Sequence, residues 1–269
     1  MRVVIVGGGV IGCAIAYNLA KGGAQAIVLD RGEIAGQASG AAAGMLIPPS
    51  ESVPPGPFRD LCLASLALYP NLVPAIEAES GIDVQYLASG ILLTAETEGR
   101  AQAMRSYARW QQGLGRDVQW VEGETLWALE PGLSRKVLGA AYSPDDRHVN
   151  PGLLTQAFAR AATAAGAKVL PGVAVTGFVR RRGRVTGVRT GEGDIGADTV
   201  ILAAGSWTKM VGEKLGMGIP VRPVRGQMIA YHSTAIRHIV WGDDGYLVPK
   251  AGGFVFAGAT VEDVGFRTA

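Results

Sequence analysis

The residues with the clearest chemical use are three glycines and one acid near the start of the chain. Gly7, Gly9 and Gly12 form the pattern Gly-x-Gly-x-x-Gly, and Asp30 lies eighteen positions past Gly12. Glycines at this spacing permit a tight turn, a close approach of a pyrophosphate to the main chain, and close packing of helix on strand. A helix N-terminus binds phosphate, and a carboxylate accepts hydrogen bonds from a ribose. The spacing predicts dinucleotide binding.

These residues need a strand, a helix and a second strand to position them. Residues 2–6 and 26–30 are apolar runs that flank a helix of small residues, which is the required order. The order matters because 39 of the 269 residues are glycine, so the pattern alone is weak. Two other interpretations of this stretch are possible. One is a signal peptide, and the other is a βαβ unit that binds no ligand. Asn18, Lys21 and three consecutive glycines disfavour the signal peptide.

Charge and cysteine content exclude several classes of protein. With 25 basic and 23 acidic residues, we expect neither nucleic acid nor a membrane as a partner. Two cysteines and three scattered histidines predict neither a disulfide framework nor a metal site. After the glycine pattern, no uninterrupted apolar stretch reaches membrane-spanning length. These features favour a cytoplasmic protein.

Apolar periodicity and turn residues predict the remaining elements. The helices are expected at 58–80, ended by Gly81, at 97–113, and from Pro151 to about 165, capped by Asn150. The strands are expected at 84–87 paired with 90–94, at 118–121, at 168–170, at 173–179 and 184–189 around a solvated tip of arginines, and at 227–231, 239–241, 246–248 and 254–257. Residues 198–207 predict a parallel strand buried on both faces, with the turn at Gly205 on the carboxyl edge of the sheet.

These elements predict an α/β fold with two interleaved domains. A Rossmann-type domain with a parallel sheet is expected at 1–47 and 140–218. An α+β substrate domain with a mostly antiparallel sheet is expected at 48–139 and 219–269. Five prolines between positions 48 and 57 favour a crossing out of the nucleotide-binding domain.

Several separated motifs resemble one family. They are the glycine pattern, Asp30, residues 38–46, 146–151, 203–207, 223–227, 245–249 and 258–263. Their order is similar to that of the FAD-dependent D-amino-acid oxidase family, and most similar to its glycine oxidase branch, which serves thiamine thiazole synthesis. The choice of branch depends mainly on residues 41–46 and 258–263.

The resemblance implies FAD as the cofactor and a set of residues that contact it. These residues are Gly7, Gly9, Val10, Ile11, Gly12, Asp30, Arg31, Ser39, Ala42, Ala43, Gly44, Met45, Val173, Ala204, Gly205 and Trp207. Arg31 either flanks the adenine or is solvated, and the side chain of Val173 is open to a purely structural role. The small residues before Met45 allow the backbone to lie close to a flat ring system.

Tyr246 and Met45 are the candidate catalytic-site residues. A phenol donates a hydrogen bond to a carboxylate at neutral pH, and in the resembled family the tyrosine of this segment does so. Met45 faces the substrate cavity in that family. The alternatives are a half-buried strand tyrosine and a methionine that only fills the core. His148, beside Asp145 and Asp146, suggests a metal or acid–base site, but a solvated loop is favoured.

The implied reaction is oxidative deamination of glycine or another small amine or D-amino acid. FAD carries the hard step, and the products are a 2-oxo acid, ammonia and hydrogen peroxide made from oxygen. The alternatives are a sarcosine- or D-proline-type dehydrogenase, a nicotinamide-dependent reductase and a non-catalytic FAD-binding fragment. We expect the full-length protein to be a homo-oligomer.

The end of the chain departs from the resembled pattern. Similar enzymes continue with more substrate domain, an arginine that binds the carboxylate and a final glycine-rich segment. The sequence is therefore expected to be a C-terminally incomplete piece of such an enzyme. Arg225 is a possible substitute for that arginine, although support of a strand junction is the favoured role.

Overall fold

The computed structural model describes residues 1–48, 50 and 55–267, so Pro49 and Pro54 of the predicted crossing lie outside the described residues. The helices are α1 (Val10–Lys21), α2 (Ala38–Ala41), α3 (Pro57–Ser80), α4 (Glu98–Gly113), α5 (Gly123–Leu129), α6 (Pro151–Ala164) and α7 (Thr208–Glu213), with short 3-10 turns at Gly205–Trp207 and Ala251–Gly253. The strands are β1 (Arg2–Val6), β2 (Gln25–Leu29), β3 (Met45–Leu46), β4 (Ile91–Ala95), β5 (Gln119–Val121), β6 (Gly139–Ser143), β7 (Arg147–His148), β8 (Lys168–Leu170), β9 (Val175–Arg181), β10 (Arg184–Thr190), β11 (Gly193–Gly196), β12 (Thr199–Leu202), β13 (Met228–His232), β14 (Ile239–Trp241), β15 (Tyr246–Lys250) and β16 (Phe254–Gly258).

The first sheet is parallel and has the strand order β12-β1-β2-β8. One face packs on α1 and α6, whose Tyr17 and Phe158 rings lie 5.7 Å apart. The other face packs on the antiparallel sheet β11-β10-β9. Because β1 is covered on both sides, residues 3–6 are all buried. The predicted βαβ unit and parallel sheet are confirmed.

The strand β12 corrects one prediction about burial. It is parallel to β1, as expected, but it lies at the edge of the sheet and its residues are half-buried or exposed. The apolar run therefore predicted the strand and its direction correctly. It did not show that β12 lies at the edge of the sheet, where a strand has a neighbour on one side only and its residues are less buried.

A larger sheet has the order β13-β16-β15-β14-β4-β6-β5. Its strands pair antiparallel except for β14 and β4, which are parallel. The face toward β3 includes Ile91, Ile239 and Val248, and packs against residues of α4 and of the segment around Met45. The opposite face, at the β4–β6 end, packs on α5. The predicted mixture of one parallel sheet and mostly antiparallel sheets is confirmed; the predicted domain boundaries stay predictions.

The helix α3 begins and ends close to the expected residues, and Gly81 closes it in the left-handed conformation. Its second half packs Val73 and Ile76 against α6, whereas Phe58, Leu61 and Leu68 are exposed. Within the described part of the chain, α3 is the one helix long and apolar enough by composition to cross a membrane. The sequence reading did not anticipate such a segment.

The predicted strand pair at 84–87 and 90–94 is wrong in its first member. Gln85 has a positive φ of 56°, and Leu87 forms an isolated bridge with His148 instead. The second member, β4, pairs with β6 and β14. The hairpin of arginines is confirmed, since β9 and β10 pair around a turn at Arg182 and Gly183.

Candidate functional site

The glycine turn after β1 has no room for side chains. Gly7 has a φ of 118°, and a Cβ there would overlap the carbonyl of Ala203 at the end of β12. A Cβ at Gly12 would overlap the Gly7 carbonyl, so α1 packs directly on the turn. A Cβ at Gly9 would lie 3.0 Å from Ser39 Oγ. The three glycines bring a helix N-terminus, two strand ends and residue 39 to one point.

The first turn of α1 presents donors and apolar surface together. The amide of Val10 donates to Ser39 Oγ at 3.0 Å, while those of Gly9 and Ile11 have no partner among the described residues. The side chain of Ile11 is 66% exposed. Free amides at the positive end of a helix suit a pyrophosphate, and the cradle left by the glycines fits a dinucleotide.

Asp30 holds the turn in place. Its Oδ2 accepts from the amide of Gly8 at 2.7 Å, and its Oδ1 accepts from the amide of Gly32 at 2.8 Å. Each carboxylate oxygen can accept a further bond, so contact with a ribose remains available.

The next predicted cofactor residues lie around β12. Arg31 stacks over Trp207, with its guanidinium carbon 4.1 Å from the ring centroid. The amide of Val173 donates to the carbonyl of Asp30 at 2.7 Å, which leaves its carbonyl for other contacts. Ala204 and Gly205 follow β12 and adjoin the glycine turn through Ala203. Arg31 is exposed and contacts Trp207, so both predicted roles, beside the adenine or in solvent, stay predictions.

The small-residue segment connects the two sheets. Ala42 is exposed, Ala43 is buried, and Gly44 packs so closely on Val149 that a Cβ would overlap its carbonyl. Met45 then pairs with His148 between β3 and β7. The segment thus runs from the nucleotide turn to the face of the large sheet.

A row of side chains crosses the large sheet in register. Met228 pairs with Gly258, Gly258 with Tyr246, and Tyr246 with Trp241. The rings of Tyr246 and Trp241 make an edge contact at 5.8 Å. Burial raises the pKa of Tyr246, so the phenol is protonated at neutral pH and can donate. Met45 packs against the same apolar cluster, so the two predicted catalytic-site residues share one cluster at the face of the large sheet.

Lys250 is a half-buried cation that the sequence analysis did not predict. Its Nζ donates to the carbonyl of Ala43 and, at 3.0 Å, to that of Val149, and lies 3.5 Å from His148 Nδ1. Burial lowers the pKa of Lys250 to about 8. The period of two in a strand was an available signal, because positions 246, 248 and 250 share one face of β15. Lys250 ties β15 to the small-residue segment.

The loop before α6 corrects the expectation of a solvated segment. Asp146 and His148 are each 1% exposed, because β3, Leu87 and Lys250 enclose them. Burial, with the charge of Lys250, lowers the pKa of His148 to about 3. Burial also raises the pKa of Asp146, whose Oδ2 accepts from Ser50. His148 is therefore neutral and serves the packing of this region.

The remaining candidates are structural. Arg225 pairs with Glu262 through both backbone and side chains, which agrees with a strand junction. In the described residues, no group of three or more His, Cys, Asp or Glu is placed to hold a metal ion.

Two cavities adjoin the small-residue segment and α3. One of about 220 Å³ is lined by Ala42, Lys250 and Phe256, and one of about 560 Å³ lies between α3 and residues 83–87. Tyr246 lines neither of these two cavities.

A parallel sheet with a glycine turn, joined by a small-residue segment to a sheet that carries a phenol, defines a dinucleotide-dependent enzyme of the flavoprotein type. The chain belongs to the FAD-dependent oxidoreductase family, whose model matches residues 2–269. The predicted family and cofactor are confirmed.

Named relatives agree with this assignment. The chain is 36% identical to the bifunctional protein ThiO/ThiG of Synechocystis over 98% of its length and 39% of that protein. It is 36% identical to the glycine oxidase of Geobacillus kaustophilus, over 96% of this chain and 69% of the relative. The crystal structure of Bacillus cereus glycine oxidase superposes with a TM-score of 0.93 at 32% identity, covering 99% of this chain and 72% of that one. The chain therefore spans about two fifths of the bifunctional relative.

Proposed function

We propose that the protein oxidises glycine or a similarly small primary or secondary amine with a carboxylate. The observation that carries this proposal is the row of Met228, Tyr246 and Trp241 beside Met45. The phenolic donor of Tyr246, set among bulky apolar side chains, suits a small carboxylate-bearing substrate.

Different residues of the chain would bind the cofactor and the substrate. Ile11, the glycine turn and Asp30 would hold the adenosine diphosphate part of FAD, and residues 42–45 would lie along its ring system. Bound FAD would supply the redox chemistry, as acceptor of a hydride from the α-carbon of the amine and as donor of the electrons to oxygen. Tyr246 would donate to the substrate carboxylate, while the apolar surroundings favour the neutral amine that this chemistry requires.

The products follow from the balance of atoms. Glycine, oxygen and water would give glyoxylate, ammonia and hydrogen peroxide in equal amounts. The likeness to glycine oxidases and to the bifunctional protein ThiO/ThiG supports this substrate class, and supports a role in thiamine thiazole synthesis.

The test is an aerobic assay of the FAD-loaded full-length protein with glycine, sarcosine, D-alanine and D-proline. We expect peroxide to appear with at least one of them, together with an equal amount of its oxidised product. For glycine and D-alanine these products are the 2-oxo acid and ammonia, for sarcosine they are glyoxylate and methylamine, and for D-proline it is the cyclic imine. Reduction of an artificial electron acceptor without peroxide would indicate a dehydrogenase instead. No turnover with any of these amines would overturn the proposal.

A further inference from the structure

The hydroxyl of Tyr246 has an unusual partner. It donates to the thioether Sδ of Met228 at 3.1 Å, and it has no other hydrogen-bond partner among the described residues. A thioether is a weak acceptor. The phenol that the proposed function assigns to the substrate carboxylate is therefore held in place by a bond that is easily exchanged.

The contact depends on the strand between these two residues. Gly258 of β16 is in register with both Met228 and Tyr246. A Cβ at this position would overlap Met228 Cγ and would lie 3.2 Å from the tyrosine hydroxyl. The absence of a side chain at Gly258 lets the sulfur and the phenol meet across an intervening strand.

We propose that Met228 is a positioning residue for Tyr246 and a site of oxidation by the hydrogen peroxide that the enzyme releases. The inference rests on the proposed function, which makes peroxide beside this row. A sulfur lone pair attacks one peroxide oxygen, an S–O bond forms as the O–O bond breaks, and the other oxygen leaves as water. The sulfur is oxidised to the sulfoxide and the peroxide is reduced.

Oxidation changes the acceptor that Tyr246 meets. A sulfoxide oxygen is polar and accepts a hydrogen bond more strongly than a thioether. The phenol then remains hydrogen-bonded to the sulfoxide of residue 228 and is less available to the substrate carboxylate. A competing hydrogen bond of ordinary strength raises KM roughly fivefold, with kcat unchanged because the α-carbon keeps its position.

The chain supplies matched controls. Met210 and Met217 are 47% and 49% exposed and lie outside the apolar cluster of the site, so peroxide reaches them without affecting Tyr246. Met45 and Met104 pack on the same cluster and are the competing targets.

The test treats the FAD-loaded full-length protein with added hydrogen peroxide and maps methionine oxidation by peptide mass spectrometry. The dissociation constant of acetate, a carboxylate probe, is read from the flavin absorbance, and KM and kcat are measured with the best amine. We expect sulfoxide at Met228, a parallel rise of about fivefold in KM and in the acetate constant, and recovery with methionine sulfoxide reductases. Met228→Leu should not respond to peroxide, whereas Met210→Leu and Met217→Leu should respond as the wild type does.

Three results would overturn the proposal. They are oxidised Met228 with unchanged acetate affinity, oxidised Met210 without oxidised Met228, and a response that Met45→Leu or Met104→Leu removes but Met228→Leu retains. The treatment with added peroxide and the acetate titration do not depend on turnover. The role of Met228 can therefore be tested even in a protein that oxidises none of the amines, and the two failures are distinguished. In an active preparation, turnover without added peroxide must also oxidise Met228, and its failure to do so rejects the enzyme's own product as the oxidant.

Discussion

Replacement of Tyr246 by phenylalanine isolates the hydroxyl from the ring. The ring keeps its edge contact with Trp241 at 5.8 Å, and the one hydrogen bond lost among the described residues is that to the Met228 thioether. Because that acceptor is weak, we expect the free energy of unfolding to fall by no more than about 0.5 kcal/mol. A hydrogen bond to a charged carboxylate is worth about 1.5 to 3 kcal/mol, so the substrate KM should rise roughly 10- to 150-fold.

The assay is steady-state oxidation of the preferred amine, together with titration of acetate followed by flavin absorbance. Both constants should rise in parallel in Tyr246→Phe. Tyr231→Phe is the matched control, because Tyr231 lies in the edge strand β13, which β16 separates from β15, and it is 38% exposed. A KM for Tyr246→Phe equal to that of the wild type would refute the assignment of the phenol to the substrate carboxylate.

Three further substitutions test the elements that carry the site. Gly12→Ala places a Cβ over the Gly7 carbonyl and should yield protein without flavin; one bound flavin per chain, read from absorbance, would contradict this. Asn150→Ala removes the cap of α6 and should lower the unfolding free energy by about 1 kcal/mol in denaturant titration; an unchanged midpoint would count against the cap. Burial acts to raise the pKa of Glu130, but bonds from His238 and two backbone amides hold it below its usual value. The ionised carboxylate of Glu130 therefore stabilises the folded protein at neutral pH, and this stabilisation is lost as the pH falls below about 4. Glu130→Gln should lower the free energy of unfolding by about 1 kcal/mol at neutral pH and leave it unchanged in acid. A loss that does not depend on pH would contradict this role of the carboxylate.

The nucleotide turn could be predicted because its requirements are local. Gly12 and Asp30 act on backbone within one βαβ unit, so their spacing, together with the order of strand, helix and strand, indicated their roles. The cap of α6 by Asn150 and the end of α3 at Gly81 are likewise set by neighbouring residues.

The interior of the site could not be predicted in this way, because it depends on pairing between distant segments. Leu87 bridges His148 rather than joining a local hairpin, and this pairing buries a loop that the sequence favoured as solvated. The partnership of Met228 with Tyr246 requires the register of three strands and a glycine between them. Lys250 was detectable in principle from strand alternation, but its acceptors lie at Ala43 and Val149.

The central claim is that this chain holds FAD beside a site for a small carboxylate-bearing amine. The most direct measurement is the visible spectrum of the FAD-loaded full-length protein under anaerobic conditions, before and after addition of glycine, sarcosine or D-alanine. The account predicts that at least one of these amines bleaches the flavin absorbance and that admission of air restores it. A flavin that stays oxidised with all three would contradict the account.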